Sequence, residues 1–151
     1  GAPGLPPATP EAEAMLLAEP DDPSDRASII AHTLRGDRVW GSPGFPFDEA
    51  ERRALIGRAL DRCHCPDGVT RQYAAVLASR GRRFTRLGEV RVPVLVIHGT
   101  DDTLLPLAHG RDIAARIPGA KLVEVEGMGH DLEGGISAII VTAVGNFVGG
   151  L

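Results

Sequence analysis

Residues 92–98 read Val92-Pro93-Val94-Leu95-Val96-Ile97-His98. A continuous run of β-branched residues and leucine is typical of a parallel strand that is covered on both faces. Pro93 fits only the first turn of such a strand, because proline has no N–H for the hydrogen-bond ladder. The stretch therefore predicts a buried strand of an α/β sheet over about 92–97.

Helix and strand patterns alternate after this run. We expect a helix over about 107–117, a strand over 121–126 and an apolar helix over 136–148. This order of strand, helix, strand and helix predicts a parallel pair with a right-handed crossover. A strand covered on both faces needs neighbours on both edges, so an absent N-terminal half or a second copy of the chain is the expected partner.

The sequence pattern of the first half of the chain predicts helices and no strand. Ser24 is the expected cap of the second helix and Gly36 its stop. The Gly- and Pro-rich residues 41–47 predict a loop that phenylalanines anchor to an apolar surface. We expect a helical lid over residues 1–88 and core structure over residues 89–151. The predicted helices cover about 10–18, 25–35, 49–65 and 67–80.

An acid and a histidine follow the two predicted strands. Asp101 and Asp102 come just after the first strand, and His130 comes just after the second. Because the carboxyl ends of parallel strands meet at one edge of a sheet, these side chains are expected to lie together there. A carboxylate beside an imidazole fixes its tautomer and stabilises its protonated form, which is what a hydrolase triad requires.

A nucleophile for such a triad is missing from the sequence. There is no Gly-x-Ser-x-Gly segment, and no serine sits between a predicted strand and a following helix, where a nucleophile elbow would place it. The nucleophile is therefore expected on an upstream half or on another chain. The serines considered are Ser24, Ser28, Ser42, Ser79 and Ser137.

The residues that follow the two predicted strands resemble the acid loop and the histidine loop of the α/β-hydrolase fold family. The resemblance covers about 90–150 and rests on residues 98–106 of the acid loop and 127–130 of the histidine loop. In that family the acid stands three positions after the glycine of its loop, which selects Asp102, and the histidine corresponds to His130. The helical first half is similar to the lid of actinobacterial esterases of the aclacinomycin methylesterase type.

This resemblance implies a partial α/β-hydrolase fold, with a helical lid followed by a parallel strand-helix-strand-helix unit. It implies a carboxylic ester hydrolase for a small-molecule ester, in which an upstream serine joins His130 and Asp102 and no metal or organic cofactor takes part. Epoxide hydrolases, haloalkane dehalogenases and cofactor-free haloperoxidases share the fold and stay open as alternatives. A non-catalytic oligomer joined through the unpaired strands is a further alternative.

Other residues have weaker functional interpretations. Cys63 and Cys65 are too close for an ordinary disulfide and lack a second pair for a zinc site. His98 is expected to be packed or hydrogen-bonded. Water-facing positions on helices are expected for His32, His64 and His109. Pocket lining or simple core packing is open for Trp40, Phe45, Phe47 and Met128.

Composition indicates an ordinary globular chain. Its 151 residues are 43% hydrophobic and carry a net charge of −4, with scattered arginines. Nucleic-acid binding through phosphate neutralisation is therefore not expected. The apolar runs fall short of the roughly 20 residues that span a bilayer, so a soluble cytoplasmic protein is predicted.

Overall fold

The computed structural model describes residues 2–79, 81 and 84–151. Helices precede a strand-helix-strand-helix unit, which is the predicted order. The elements are α1 (Pro10–Leu17), α2 (Arg26–Trp40), α3 (Glu49–Arg62), α4 (Pro66–Ala78), a 3₁₀ helix (Phe84–Glu89), β1 (Leu95–Gly99), α5 (Ala108–Arg116), β2 (Lys121–Val125) and α6 (Ile136–Gly149). The predicted end of α4 at residue 80 lies outside the described residues.

The sheet consists of β1 and β2 within the described part of the chain. They pair in parallel, with Leu95 opposite Lys121 and Gly99 opposite Val125. This pairing confirms the predicted parallel unit. The carboxyl ends of both strands lie at the same edge, so the loops that follow them start side by side.

The first strand is shorter and less covered than predicted. It begins at Leu95 and not at Val92, because Pro93 has no N–H for the ladder, although the Val94 carbonyl still accepts from Lys121 N–H at 2.9 Å. The first four residues of β1 are half-buried. Full burial on both faces was therefore the wrong expectation for the chain as described, which places β2 on one edge of β1.

Two predicted boundaries of α2 are wrong. Its cap is Asp25, whose carboxylate accepts from Ser28 N–H at 2.9 Å, and Ser24 lies outside the helix. The helix continues through Gly36 and ends at Trp40. Gly36 does not end the helix, and its missing side chain makes room for the aromatic ring of Trp40. A Cβ on Gly36 would lie 2.6 Å from the Trp40 ring.

The core lies where β2, the histidine loop and α6 meet. Val125, Met128 and Ile136 are buried there, and Phe45 from the loop after α2 packs against them. The expected apolar anchor of this loop is therefore present. The helix α6 also has a face that is not covered by the described residues, which exposes Ile139, Val141, Val144 and Val148.

The helices contact one another and also bond the acid loop. Helix α2 packs against α1 and α3, and the Val39 carbonyl near its end accepts from the Thr103 hydroxyl at 3.0 Å. Arg26 joins α2 to α3 through Asp61 at 2.8 Å and the Gly57 carbonyl at 2.9 Å. In the described part of the chain, none of the helices has the length and apolarity to traverse a bilayer. The cytoplasmic location expected from composition stays a prediction.

The end of β1 lies directly against the backbone of the histidine loop. A Cβ on Gly99 would lie 2.1 Å from the Met128 carbonyl oxygen and 2.8 Å from that of Gly129. Both are backbone atoms, so the contact cannot be relieved by turning a side chain. Any larger residue at position 99 would push the two loops apart.

We expect Gly99→Ala to destabilise the protein by about 3 kcal/mol, because the added methyl overpacks backbone against backbone. Gly145→Ala in α6 is the matched control, since nothing lies within 4 Å of its Cβ position. It should stabilise the protein by roughly 0.5–1 kcal/mol through helix propensity. Free energies of unfolding from urea titration measure both, and equal effects of the two variants would contradict the close approach.

Candidate active site

The acid loop between β1 and α5 fixes the carboxylate of Asp102. This residue is 8% exposed. Its Oδ1 accepts the backbone N–H groups of Leu104 at 3.0 Å and Leu105 at 2.7 Å. The turn of the loop therefore satisfies one carboxylate oxygen and leaves Oδ2 directed at another partner.

That partner is His130, in the loop between β2 and α6. Its Nδ1 lies 2.8 Å from Asp102 Oδ2, and its backbone N–H donates to the Trp40 carbonyl at 2.6 Å. Gly127 makes the turn of this loop with φ +71°, a left-handed conformation that favours glycine. The expected contact between acid and imidazole is thus present, while their catalytic roles stay a prediction.

The electrostatics of the pair favour a negative acid and a proton on Nδ1. Burial alone would raise the pKa of Asp102, but the hydrogen bonds from His130 and from Leu105 N–H hold that pKa below its usual value. An ionised carboxylate only accepts hydrogen bonds, so Nδ1 of His130 is the donor. The neutral imidazole then carries its lone pair on Nε2.

The imidazole of His130 is poised to take up a proton. The hydrogen bond to Asp102 raises the pKa of His130 above its ordinary value, burial opposes this, and the Asp102 and Asp131 charges add to the rise. Its side chain is 39% exposed. It lines a groove of about 1030 Å³ together with Asp102 and Met128. An imidazole with a raised pKa at the wall of a groove can accept a proton from a group that is bound there.

Asp101 stabilises the site without touching the imidazole ring. Its Oδ2 accepts the Thr100 hydroxyl at 2.6 Å and the Gly127 N–H at 3.1 Å. This contact joins the acid loop to the start of the histidine loop. Asp101 is thus an exposed carboxylate that bridges the two loops.

The other histidines have structural surroundings. The Nε2–H of His98 donates to the Leu105 carbonyl at 2.7 Å, which confirms the prediction of a hydrogen-bonded residue. His64 is exposed but lies between α3 and α4, not on a helix. Water-facing positions were wrong for His32 and His109, which are half-buried. Helix α2, which carries His32, packs between α1 and α3, and His109 Nε2 lies 2.9 Å from the Pro6 carbonyl.

The candidate pocket residues are distributed over different surroundings. Met128 is buried in the core and shares the groove with His130. Phe45 and Phe47 line a separate pocket of about 300 Å³, and the Arg38 guanidinium lies 4.7 Å from the centre of the Phe47 ring. Trp40 lays its ring over Gly36 of its own helix. Substrate binding by these residues stays a prediction.

A buried cluster behind the histidine loop was not predicted. Arg52 of α3 is 7% exposed. Its Nε lies 2.9 Å from Asp37 Oδ2 and its Nη2 lies 3.1 Å from Asp131 Oδ2, while Nη1 pairs with Glu133. One signal was available in the sequence: Arg52 stands four residues before the buried Ile56, on the same face of the helix.

No metal site is formed within the described ranges. No group of histidine, cysteine and acidic side chains there could hold an ion. Cys63 and Cys65 are exposed free thiols.

Comparison of the chain with known protein families gives a match that includes the site. The TAP-like protein family, a group of α/β hydrolases, matches residues 71–148. This range includes both strands, the acid loop and the histidine loop. The chain belongs to this α/β-hydrolase family.

Individual relatives are esterases and a hydrolase. The chain is 32% identical over 120 residues to rhodomycin D methylesterase of Streptomyces sp. (strain C5), covering 78% of this chain and 39% of the relative. The Streptomyces peucetius enzyme of the same name is 32% identical over 119 residues, with 78% and 38% covered. A hydrolase structure from Pseudomonas aeruginosa PA01 matches with TM-score 0.61 at 25% identity, covering 91% of this chain and 48% of that structure. The chain spans about two fifths of the length of its curated relatives.

The raised pKa of His130 can be tested by NMR titration. We expect a midpoint above the ordinary value of about 6.5 and a lower midpoint in Asp102→Asn, because the hydrogen bond and the negative charge that favour the imidazolium are both weakened. Asp101→Asn is the control, since its amide oxygen can still accept from Gly127 N–H. An unchanged His130 midpoint in Asp102→Asn would contradict the assigned cause of the shift.

Proposed function

We propose that this chain supplies the general base and its acid partner to a carboxylic ester hydrolase. The observation that carries the proposal is the 2.8 Å contact between His130 Nδ1 and Asp102 Oδ2. It orients the imidazole and leaves Nε2 as the proton acceptor. The esterase relatives support the same reaction class.

In the proposed mechanism, neutral His130 removes the proton from a serine hydroxyl as its oxygen attacks the ester carbonyl. Asp102 stabilises the imidazolium that forms, and the imidazolium then gives its proton to the departing alcohol. Water, deprotonated by His130 in turn, attacks the acyl-enzyme and releases the acid and the serine. Each half of the reaction thus returns the imidazole to its starting form.

The nucleophile in this proposal lies outside the printed sequence. Ser42 contacts the histidine loop, but its hydroxyl donates to Asp131 and accepts Gly129 N–H at 2.8 Å. Because these two residues of the histidine loop already bind the Ser42 hydroxyl, it is not free to face Nε2 of His130. The oxyanion-hole donors are likewise proposed to come from the remainder of the protein.

The proposed substrate is a methyl ester of a small-molecule acid. This class is taken from the methylesterases that the chain resembles over 78% of its length. The groove of about 1030 Å³ beside His130 is lined mainly by apolar side chains, including those of β1. Its apolar wall and the polar pair suit an ester whose bulk is apolar and whose reacting carbonyl is exposed.

We expect His130→Ala to abolish ester hydrolysis by the full-length protein while leaving its fold intact. Asp102→Asn should lower kcat by about 10³–10⁴-fold, because the amide favours the wrong imidazole tautomer. Asp101→Asn should cost less than about tenfold, since it disturbs only a loop contact. Methanol release from a methyl ester measures all variants, and full turnover by His130→Ala would remove the proposed role.

The type of nucleophile can be tested by covalent labelling. A fluorophosphonate probe should modify a serine of the full-length protein, and mass spectrometry should place the labelled peptide outside residues 1–151. Labelling should disappear in His130→Ala because the serine is no longer deprotonated. An aspartyl ester trapped in its place would instead indicate an epoxide hydrolase or dehalogenase, and no adduct of either kind would favour a non-catalytic assembly.

A further inference from the structure

The buried Arg52 joins the helical region to the histidine loop. Its guanidinium meets Asp37 of α2 on one side and Asp131 and Glu133 of the loop on the other. Arg52 itself belongs to α3. A single side chain therefore connects both helices to the segment that carries His130.

The charges of Arg52, Asp37 and Asp131 depend on one another because these three side chains are largely withdrawn from water, whereas Glu133 is exposed. Burial would lower the pKa of Arg52, but the hydrogen bond to Glu133 and the charges of Asp37 and its other partners raise it, so Arg52 stays cationic. Burial raises the pKa of Asp37, and the guanidinium opposes that rise. Removing the Arg52 guanidinium would leave Asp37 and Asp131 as uncompensated charges with little access to water.

The backbone on both sides of His130 is held by this part of the structure. Asp131, the next residue, binds Arg52 and the Ser42 hydroxyl. That hydroxyl also accepts the N–H of Gly129, the preceding residue. The N–H of His130 donates to the Trp40 carbonyl at 2.6 Å. The loop therefore has little freedom to move the imidazole relative to Asp102.

We propose that Arg52 is a positioning residue, which fixes the imidazole of His130 against Asp102 by clamping Asp131 to α2 and α3. Arg52 touches neither the imidazole nor the groove in which the reaction is placed. Its effect on catalysis rests on the proposed function of His130. Its effect on the geometry of the His130–Asp102 contact does not.

Arg26 provides a matched control for this role. Like Arg52, it joins α2 to α3, through Asp61 and the Gly57 carbonyl. It has no contact with the histidine loop among its described partners. If Arg52 only holds the two helices together, Arg52→Lys and Arg26→Lys should have the same effect on His130, namely none.

The experiment compares Arg52→Lys with Arg26→Lys in the full-length protein. Lysine keeps the positive charge but loses the planar fork that meets several carboxylates. In Arg52→Lys, we expect the downfield Nδ1–H NMR signal of His130 to broaden or disappear. We also expect kcat for a methyl ester to fall by about 10- to 100-fold with KM nearly unchanged, because a displacement of about 1 Å has that effect. Arg26→Lys should keep the signal and stay within about twofold in kcat.

Each outcome decides the proposal. A wild-type Nδ1–H signal and kcat in Arg52→Lys would overturn it, as would equal losses in Arg26→Lys. Should Arg52→Lys fail to fold, Asp37→Asn takes its place, because an amide keeps an acceptor for Arg52 but loses the charge that holds it to α2. Asp37→Asn should then show the same broadening, and a wild-type signal would overturn the proposal. If the wild-type protein hydrolyses no ester, the proposed function fails while the NMR comparison still tests the clamp.

Discussion

The close approach of two loops at the carboxyl end of β1 and β2 is the constraint on which the site depends. Thr100 N–H donates to the Val125 carbonyl at 3.1 Å, and Asp101 N–H donates to the Met128 carbonyl at 2.9 Å. The missing side chain of Gly99 allows this spacing. The parallel ladder is thereby continued beyond the strands, and these backbone bonds bring the loops that carry Asp102 and His130 side by side.

The two acids next to His130 in space have separate tasks. Asp102 faces the ring and is held negative by the N–H groups of its own turn, so it sets the tautomer and the pKa of the imidazole. Asp131 is turned away from the ring toward Arg52 and Ser42. Asp102 therefore acts on the imidazole proton through a direct hydrogen bond, whereas Asp131 holds the backbone that carries the ring and adds only its charge to the rise in the His130 pKa.

Much of this arrangement could be predicted from local patterns. The order of elements follows from apolar runs and proline or glycine boundaries, and the Asp102–His130 contact follows from their places after adjacent parallel strands. Local sequence patterns did not predict how the helices and loops pack against one another. Gly36 has the usual residue type of a helix stop but serves as space for Trp40, and Arg52 has the residue type of a solvated helix face but lies at a junction of α2, α3 and the histidine loop.

The helical region is consequently part of the framework of the site. Residues 40–44 contribute the Trp40 carbonyl, the Ser42 hydroxyl and the Gly44 N–H, which donates to the Gly127 carbonyl at 2.9 Å. Each of these groups bonds the histidine loop. A movement of α2 must therefore either break these bonds or carry His130 with it. Since the Val39 carbonyl of α2 also accepts the Thr103 hydroxyl of the acid loop, the helices bond both loops that carry Asp102 and His130.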